Sequence, residues 1–283
     1  MNYLPMNELL QDAQKRQYAV PSFCAWNAEV LETILRMAQR MRAPVIVMAG
    51  PGEFSLLRPG VLAPIARQLL DEYPVPAALH LDHGDSPALV GDCLEAGFTS
   101  VMLDYSARPY LENAIALQQV VARAHPRGVT VEAEIGHVGR VDNVSIEAER
   151  PSTLTEPSDA FAFVKDTGVD ALAISIGNAH GQYTCLPQFD FPRLAAIQRA
   201  IHIPLVLHGG SGTPDAELRQ AIELGIAKVN VATDLVSAVR TSLLAQWEAG
   251  RNLWTPAAQA EAVRAMEPAI ERWITRTGAI GKA

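Results

Sequence analysis

Short apolar runs alternate along this chain with longer amphipathic segments. The runs are YAVPSF (18–23), PVIVMAG (44–50), AALHLD (77–82), SVMLD (100–104), TVEAEIG (130–136), ALAISIG (171–177), PLVLHGG (204–210) and AKVNVAT (227–233). Most are aliphatic, rich in β-branched residues and too short for helices. Strands of a parallel sheet read this way, because helices cover both faces and no solvated side remains.

The intervening segments carry helical periodicity. AEVLETILRMAQRM (28–41) places Val30, Leu31, Ile34, Leu35 and Ala38 on one face. SPALVGDCLEAG (86–97) opens with an N-cap serine and a first-turn proline and closes in glycine, and TPDAELRQAIELG (213–225) repeats that grammar. Eight strand–helix units in 283 residues predict an α/β fold of the (β/α)8 TIM-barrel type. A doubly wound open sheet is the competing fold, but no Gly-x-Gly-x-x-Gly follows the first run. With no low-complexity linker, residues 1–283 are expected to form a single domain, with one extra helix over 257–275. The connection HVGRVDNVSIEAERPSTLTEP (137–157) exceeds the ~12–15 residues usual for an unstructured loop. It reads as a lid or binding loop, against the plainer reading of a solvated excursion.

Composition narrows the function. A formal net charge of -8 gives no electrostatic footprint for nucleic acid, though local amides and a few cations can still hold an anionic small molecule. The three cysteines, Cys24, Cys93 and Cys185, are odd in number and lack CxxC spacing. That argues against a disulfide framework and for a reducing cytoplasm. The first twenty residues carry Glu8 and Asp12 and do not read as a signal peptide. No window of ~18–20 apolar residues predicts a membrane span.

In a barrel, residues at the C-terminal strand ends line the active site. Those positions hold Asp82 and His83, Asp104, Glu132 and Glu134, Asn178 and His180 (in GNAHG), His208, and Asn230, Thr233 and Asp234. Three histidines from three strands fit a tripodal zinc site with an open position for substrate; the plainer reading of each is a hydrogen-bonded structural residue. His80 shares a strand face with Asp82, deeper in, and reads as support. His125 falls near a helix end and His202 at the opposite end of the barrel. His137 has no assigned place. Gly84 is expected to let the chain turn at the mouth, sending Asp82 and His83 to different partners. HGGSG (208–212) before a helix, and NVAT (230–233) before the next, supply bare amides, hydroxyls and helix N-termini. Together these make an anion site at the loops where barrels often hold phosphate; glycines that merely permit tight turns are the alternative.

The segments LDHGD, SVMLDYSARPYLEN, VEAEIG, IGNAHG, PLVLHGGSG and KVNVATD resemble, in order, those of the class II, metal-dependent ketose-bisphosphate aldolases, over most of the chain. Chain length and NVAT are most similar to the tagatose-bisphosphate branch; the fructose-bisphosphate branch more often has Asp where Ala232 stands. The resemblance implies a zinc-dependent aldehyde-lyase that reversibly cleaves a ketose 1-phosphate or 1,6-bisphosphate to dihydroxyacetone phosphate and an aldehyde. It implies His83, His180 and His208 as zinc ligands, and Asp104 and Glu134 as ligands of an alternative, more buried metal position. Asp82 would exchange a proton with the C4 hydroxyl. Gly181, Gly209, Gly210, Ser211, Asn230, Val231, Ala232 and Thr233 would hold dihydroxyacetone phosphate. Besides Zn2+ it implies a monovalent cation as a further cofactor, and a homodimer or homotetramer. Lysine is missing from the strand ends except Lys228, inside the last strand, which argues against a Schiff-base mechanism.

The departures fall in one half of the site. FC (Phe23, Cys24) stands where many members have Phe-Asn, and DYSA (104–107) where many have Asp-Gly-Ser-His. GRVDN (139–143) puts Arg140 at the family's second glycine and leaves only Asp142 near its second acid/base. The expectation is an unusual aldehyde product, with tagatose and fructose bisphosphates as poor substrates. The alternatives are a tagatose- or fructose-bisphosphate aldolase proper, a zinc hydrolase on the same barrel, and a non-catalytic aldolase subunit.

Overall fold

The structure is a computed structural model and describes residues 2–139, 153–181, 183, 187–251 and 254–283. Eight parallel strands close into a barrel in chain order: β1 (Val20–Cys24), β2 (Val45–Ala49), β3 (Ala77–Gly84), β4 (Ser100–Leu103), β5 (Thr130–Ile135), β6 (Ala171–Ile174), β7 (Leu205–Leu207) and β8 (Ile226–Val231). Closure runs from Val20 against Lys228 to Phe23 against Val231. The helices are α1 (Met6–Arg16), α2 (Ala28–Met41), α3 (Pro51–Phe54), α4 (Pro59–Glu72), α5 (Pro87–Ala96), α6 (Tyr110–Ala124), α7 (Pro157–Thr167), α8 (Phe191–Ala200), α9 (Asp215–Glu223), α10 (Thr233–Glu248), α11 (Thr255–Arg264) and α12 (Glu267–Arg276). The fold is therefore the predicted TIM barrel, with each expected run forming a strand.

Local chemistry explains the boundaries. In α2, Asn27 Oδ1 accepts from Val30 N at 2.9 Å, and Val30, Leu31, Ile34, Leu35 and Ala38 are all buried. In α5, Ser86 Oγ accepts from Leu89 N at 3.3 Å, and Gly97 ends the helix at φ 88°. The parallel expected for the segment at 213–225 fails. Pro214, not Thr213, is the N-cap of α9 and no side chain caps it. Thr213 is 2 % exposed and gives its carbonyl to Arg276 instead.

The single C-terminal helix expected over 257–275 is two helices, α11 and α12. Pro268 lies in the first turn of α12, where its missing N–H costs nothing; inside a continuous helix it would break the ladder. α12 buries Ile270, Trp273 and Ile274. At the other end α1 packs against β3 and β8. Its Met6 is buried beneath the Ser100 hydroxyl at 3.5 Å, closing the N-terminal end of the barrel. Among the described residues no helix is long and apolar enough to cross a membrane.

Candidate metal and substrate site

Three imidazoles meet at the C-terminal mouth. The ring centroids of His83 lie 4.9 Å from His180 and 4.6 Å from His208, and His180 lies 5.7 Å from His208. One nitrogen from each comes within 4.8 Å of the others. His83 is aimed by its backbone: it adopts φ 46°, and the pairing of β3 with β4 shifts register between Leu81 and Gly84. The turn is thus made at His83 rather than at Gly84, as the sequence had suggested. Gly84 serves close approach, since a Cβ there would stand 2.5 Å from Met102 O and 2.8 Å from Leu81 Cδ2. His83 Nδ1 lies 2.6 Å from Asp104 Oδ2, while its Nε2 is buried with no hydrogen-bond partner. A metal ion would supply that partner, and an all-imidazole set with carboxylates alongside suits zinc. His83, Asp104 and Glu134 form a second such group, and His80, Asp82 and Glu132 a third, each with ligand atoms within 4.8 Å.

Beneath the rings lies a buried ionic layer. His208 is fully buried, with Nδ1 2.8 Å from Glu134 Oε2 and Nε2 3.0 Å from Glu132 Oε1. Lys228 Nζ, also fully buried, donates to both oxygens of Glu132 at 3.0 and 2.8 Å. His80 Nδ1 lies 2.8 Å from Ser100 Oγ, and its Nε2 faces Glu132 at 3.7 Å and Asp82 at 3.9 Å. Asn230 Nδ2 donates to Asp82 Oδ1 at 2.8 Å. Period-two alternation puts Glu132 and Glu134 on one face of β5, and Lys228 and Asn230 on one face of β8. That signal was in the sequence, but the pairing of Lys228 with Glu132 needed the register around the closed barrel.

The charges decide protonation. Burial alone would raise the Asp82 carboxyl, but His83, then Lys228 and His208, hold it down at about 2. Burial opposes charge on His83; Asp82 and the bond to Asp104 outweigh it and push the ring up to about 10. His208 is raised too, its burial and His83 being outweighed by Glu132 and Glu134. Glu132 is held below the carboxylate range against its burial, first by Lys228, as Asp104 is by His83. His80 goes the other way: burial, then Lys228, drive it down to about 3. A metal at the three rings would compete with protons for His83 and His208.

The glycine-rich turn after β7 is built against β8. Gly209 adopts φ 66°, Gly210 N donates to Asn230 O at 3.0 Å and Thr213 N to Gly210 O at 3.0 Å. A Cβ at Gly210 would stand 2.7 Å from Asn230 O. Ser211 Oγ accepts from Asp234 N at 3.3 Å, tying this turn to the first turn of α10. Ala232 is the N-cap of α10 and Thr233 its first residue. Ser211, Gly212, Thr233, Asp234, Ser237 and Arg272 line part of a cavity of about 620 Å³. Val231 is fully buried, so it meets the mouth through backbone only. Gly181 follows His180 at φ 96°, and Tyr183 Oη accepts from Ala179 N at 2.9 Å and donates to Gly209 O at 3.2 Å. Tyr183 thereby joins the turn after β6 to the glycine-rich turn after β7.

His137 gains a place. Its backbone pairs with Thr153 in an antiparallel bridge at the base of the long connection, and its Nδ1 lies 3.3 Å from Ser106 Oγ. Ser106 N in turn donates to Asp104 Oδ1 at 3.0 Å. Asp142 and Arg140 lie outside the described residues, as does Cys185. At the opposite side of the mouth, Cys24 ends β1 and is 6 % exposed. Burial, then the charges of Glu53 and Asp82, raise its thiol well above the usual range. Glu53, which the sequence reading passed over, is half-buried in α3 and accepts from Gly50 N at 2.8 Å.

A parallel barrel with a histidine–carboxylate cluster able to hold a metal at its C-terminal mouth and a glycine-lined turn beside it defines a TIM barrel of the enzyme type. Comparison with known proteins specifies which. The family model for class II fructose-bisphosphate aldolase matches residues 4–282, so this chain belongs to that family and is an aldolase, a carbon–carbon lyase. It is similar to the YdjI aldolase of Escherichia coli K12 at 31% identity, covering 99% of each chain with a TM-score of 0.87. A putative fructose-1,6-biphosphate aldolase from Coccidioides immitis is 30% identical, with 97% and 96% of the chains covered and a TM-score of 0.88. The fructose-bisphosphate aldolase of Campylobacter jejuni, at 20% identity, TM-score 0.82 and 98% and 95% coverage, shares the fold. Class II aldolases are zinc-dependent in general, and the family implies a phosphorylated sugar substrate.

Proposed function

We propose that this aldolase is zinc-dependent and cleaves a ketose 1-phosphate to dihydroxyacetone phosphate and an aldehyde, with tagatose and fructose bisphosphates as poor substrates. The observation that carries the reading is the juxtaposition of Asp82, held by Asn230 at 2.8 Å, with the three imidazoles and the paired loops after β7 and β8. His83, His180 and His208 would hold the zinc, with Asp104 and Glu134 able to take it deeper. Bound there, zinc would supply Lewis acidity for the negative charge that develops on the ketose carbonyl and its neighbouring hydroxyl.

The chain's own residues do the rest. Amides of Gly181 and Gly209, the Ser211 and Thr233 hydroxyls and the backbone at 230–233, braced by the bond from Gly210 N to Asn230 O, fix the phosphate, and a monovalent cation is a further expected cofactor. Asp82 accepts the proton of the C4 hydroxyl as the C3–C4 bond breaks and its electron pair stays on the three-carbon fragment. A second acid, for which Asp142 is the candidate, protonates C3 to complete dihydroxyacetone phosphate. Lys228 is bound through its ammonium to both oxygens of Glu132 beneath the site, which supports a mechanism without a Schiff base. The free thiols Cys24 and Cys93 fit a cytoplasmic enzyme, and a homodimer or homotetramer remains the expected assembly. The test is release of dihydroxyacetone phosphate, followed with a coupled dehydrogenase, across ketose 1-phosphates and 1,6-bisphosphates. Best turnover on tagatose bisphosphate would overturn the reading.

A further inference from the structure

With Asp82 as the base of the proposed reaction, the departing aldehyde falls to the half of the mouth bounded by the ends of β1, β2 and β3. Three functional groups meet there. Asp82 takes the aldehyde's proton in the proposed reaction. Cys24 closes β1 and, through its register with Met48 on β2, sits beside the turn that starts at Gly50. Glu53 is folded back onto that turn, its Oε2 accepting from Gly50 N at 2.8 Å. Gly50 links Glu53 to Asp82: a Cβ built on it would stand 2.5 Å from Asp82 O and 3.5 Å from Glu53 Oε2. The Glu53 carboxylate and the Asp82 backbone therefore flank the same glycine, and the Cys24 thiol lies close enough to both acids to feel their charge. The mouth is acidic on this side, whereas the loops after β7 and β8 offer amides and hydroxyls. An aldehyde carrying a terminal phosphate would bring a dianion against carboxylates; an uncharged hydroxyaldehyde would instead donate O–H groups to them.

We propose that Glu53 is a specificity-determining residue that selects an uncharged hydroxyaldehyde and rejects one bearing a terminal phosphate. The inference rests on the dihydroxyacetone-phosphate reading above and names the class of its second product. In the synthetic direction the second acid/base removes a proton from C3 of dihydroxyacetone phosphate, the electron pair of that C–H bond forms the new bond to the aldehyde carbon, and the aldehyde oxygen takes a proton delivered by Asp82. No further reactant is needed.

The experiment measures condensation of dihydroxyacetone phosphate with glyceraldehyde and with glyceraldehyde 3-phosphate, using zinc-loaded wild type, Glu53→Gln and Glu53→Asp. Glutamine keeps an oxygen for Gly50 N, and aspartate keeps the charge. Because each preparation is compared with itself, the ratio of the two kcat/KM values does not depend on how much of a variant is folded. Wild type is expected to favour glyceraldehyde by at least about 10-fold, roughly 1.4 kcal/mol. Glu53→Gln should shift the ratio toward the phosphorylated aldehyde by about the same factor, through a lower KM for it, while Glu53→Asp keeps the wild-type preference. A wild-type preference for the phosphorylated aldehyde, or a ratio that Glu53→Gln leaves unmoved, overturns the proposal while leaving the dihydroxyacetone-phosphate reading intact. No condensation with either aldehyde, under conditions where wild type binds zinc, overturns both.

Discussion

Asn230 on β8 reaches across the barrel mouth to Asp82 on β3 and donates its amide to Oδ1 at 2.8 Å. The bond fixes which oxygen of Asp82 is left for substrate. Asn230→Ala should therefore lower kcat by about 10- to 100-fold, part of what a positioned base contributes, without loss of zinc. Asp82→Ala should also keep its zinc and lose about 10²- to 10⁴-fold in turnover. Steady-state kinetics with metal analysis of the same preparations checks both; zinc loss in either variant would contradict the assignment.

Metal binding is expected to depend on His83, whose buried Nε2 has no partner within the protein. His83→Ala should bind far less than about one zinc per chain and be inactive. Dialysis of wild type against a chelator should abolish activity, and zinc should restore it. Activity surviving complete metal removal would refute the proposed chemistry.

The Lys228–Glu132 pair is fully buried, with both carboxylate oxygens engaged. Lys228→Met should destabilise the protein by about 3–5 kcal/mol by leaving a buried charge without its partner. Adding Glu132→Gln should recover part of that loss, as urea unfolding of the two variants would show. Borohydride reduction during turnover should leave the mass of the chain unchanged, because this lysine does not reach substrate.

His80 makes stability depend on acid. Its folded pKa is about 3 against an ordinary 6.5, so the unfolded chain takes up the proton first. Its contribution is whole above 6.5 and drains away as pH falls from 6.5 toward 3, by up to about 1.4 kcal/mol per pH unit. Relative to His80→Gln, wild type should lose on the order of 2 kcal/mol between about pH 6.5 and 4.5. Parallel curves of urea midpoint against pH would count against it.

Strand periodicity and the rule that barrel sites lie at strand ends made the barrel and the histidine cluster readable from residue order alone. What stayed hidden depended on geometry that periodicity does not carry. The break between α11 and α12 turns on how Pro268 is accommodated, and the cap of α9 on Thr213 being drawn toward Arg276. The partners of Glu132 are fixed only once the sheet closes and brings Lys228 and His208 to it from β8 and β7. Glu53 carried a weak local signal, since a proline at the first helical position with a glutamate at the third marks a capping box back to Gly50 N, but nothing in residue order placed that turn beside Asp82.

The left-handed backbone of His83, at φ 46°, has a consequence for evolution of the fold. A side chain in that conformation strains the chain by about 1 kcal/mol, and glycine would not. His83→Gly should consequently unfold at higher denaturant than His83→Ala, although both lose the ring. At this point in β3 the backbone conformation favours glycine while the site calls for an imidazole, and the barrel keeps the imidazole.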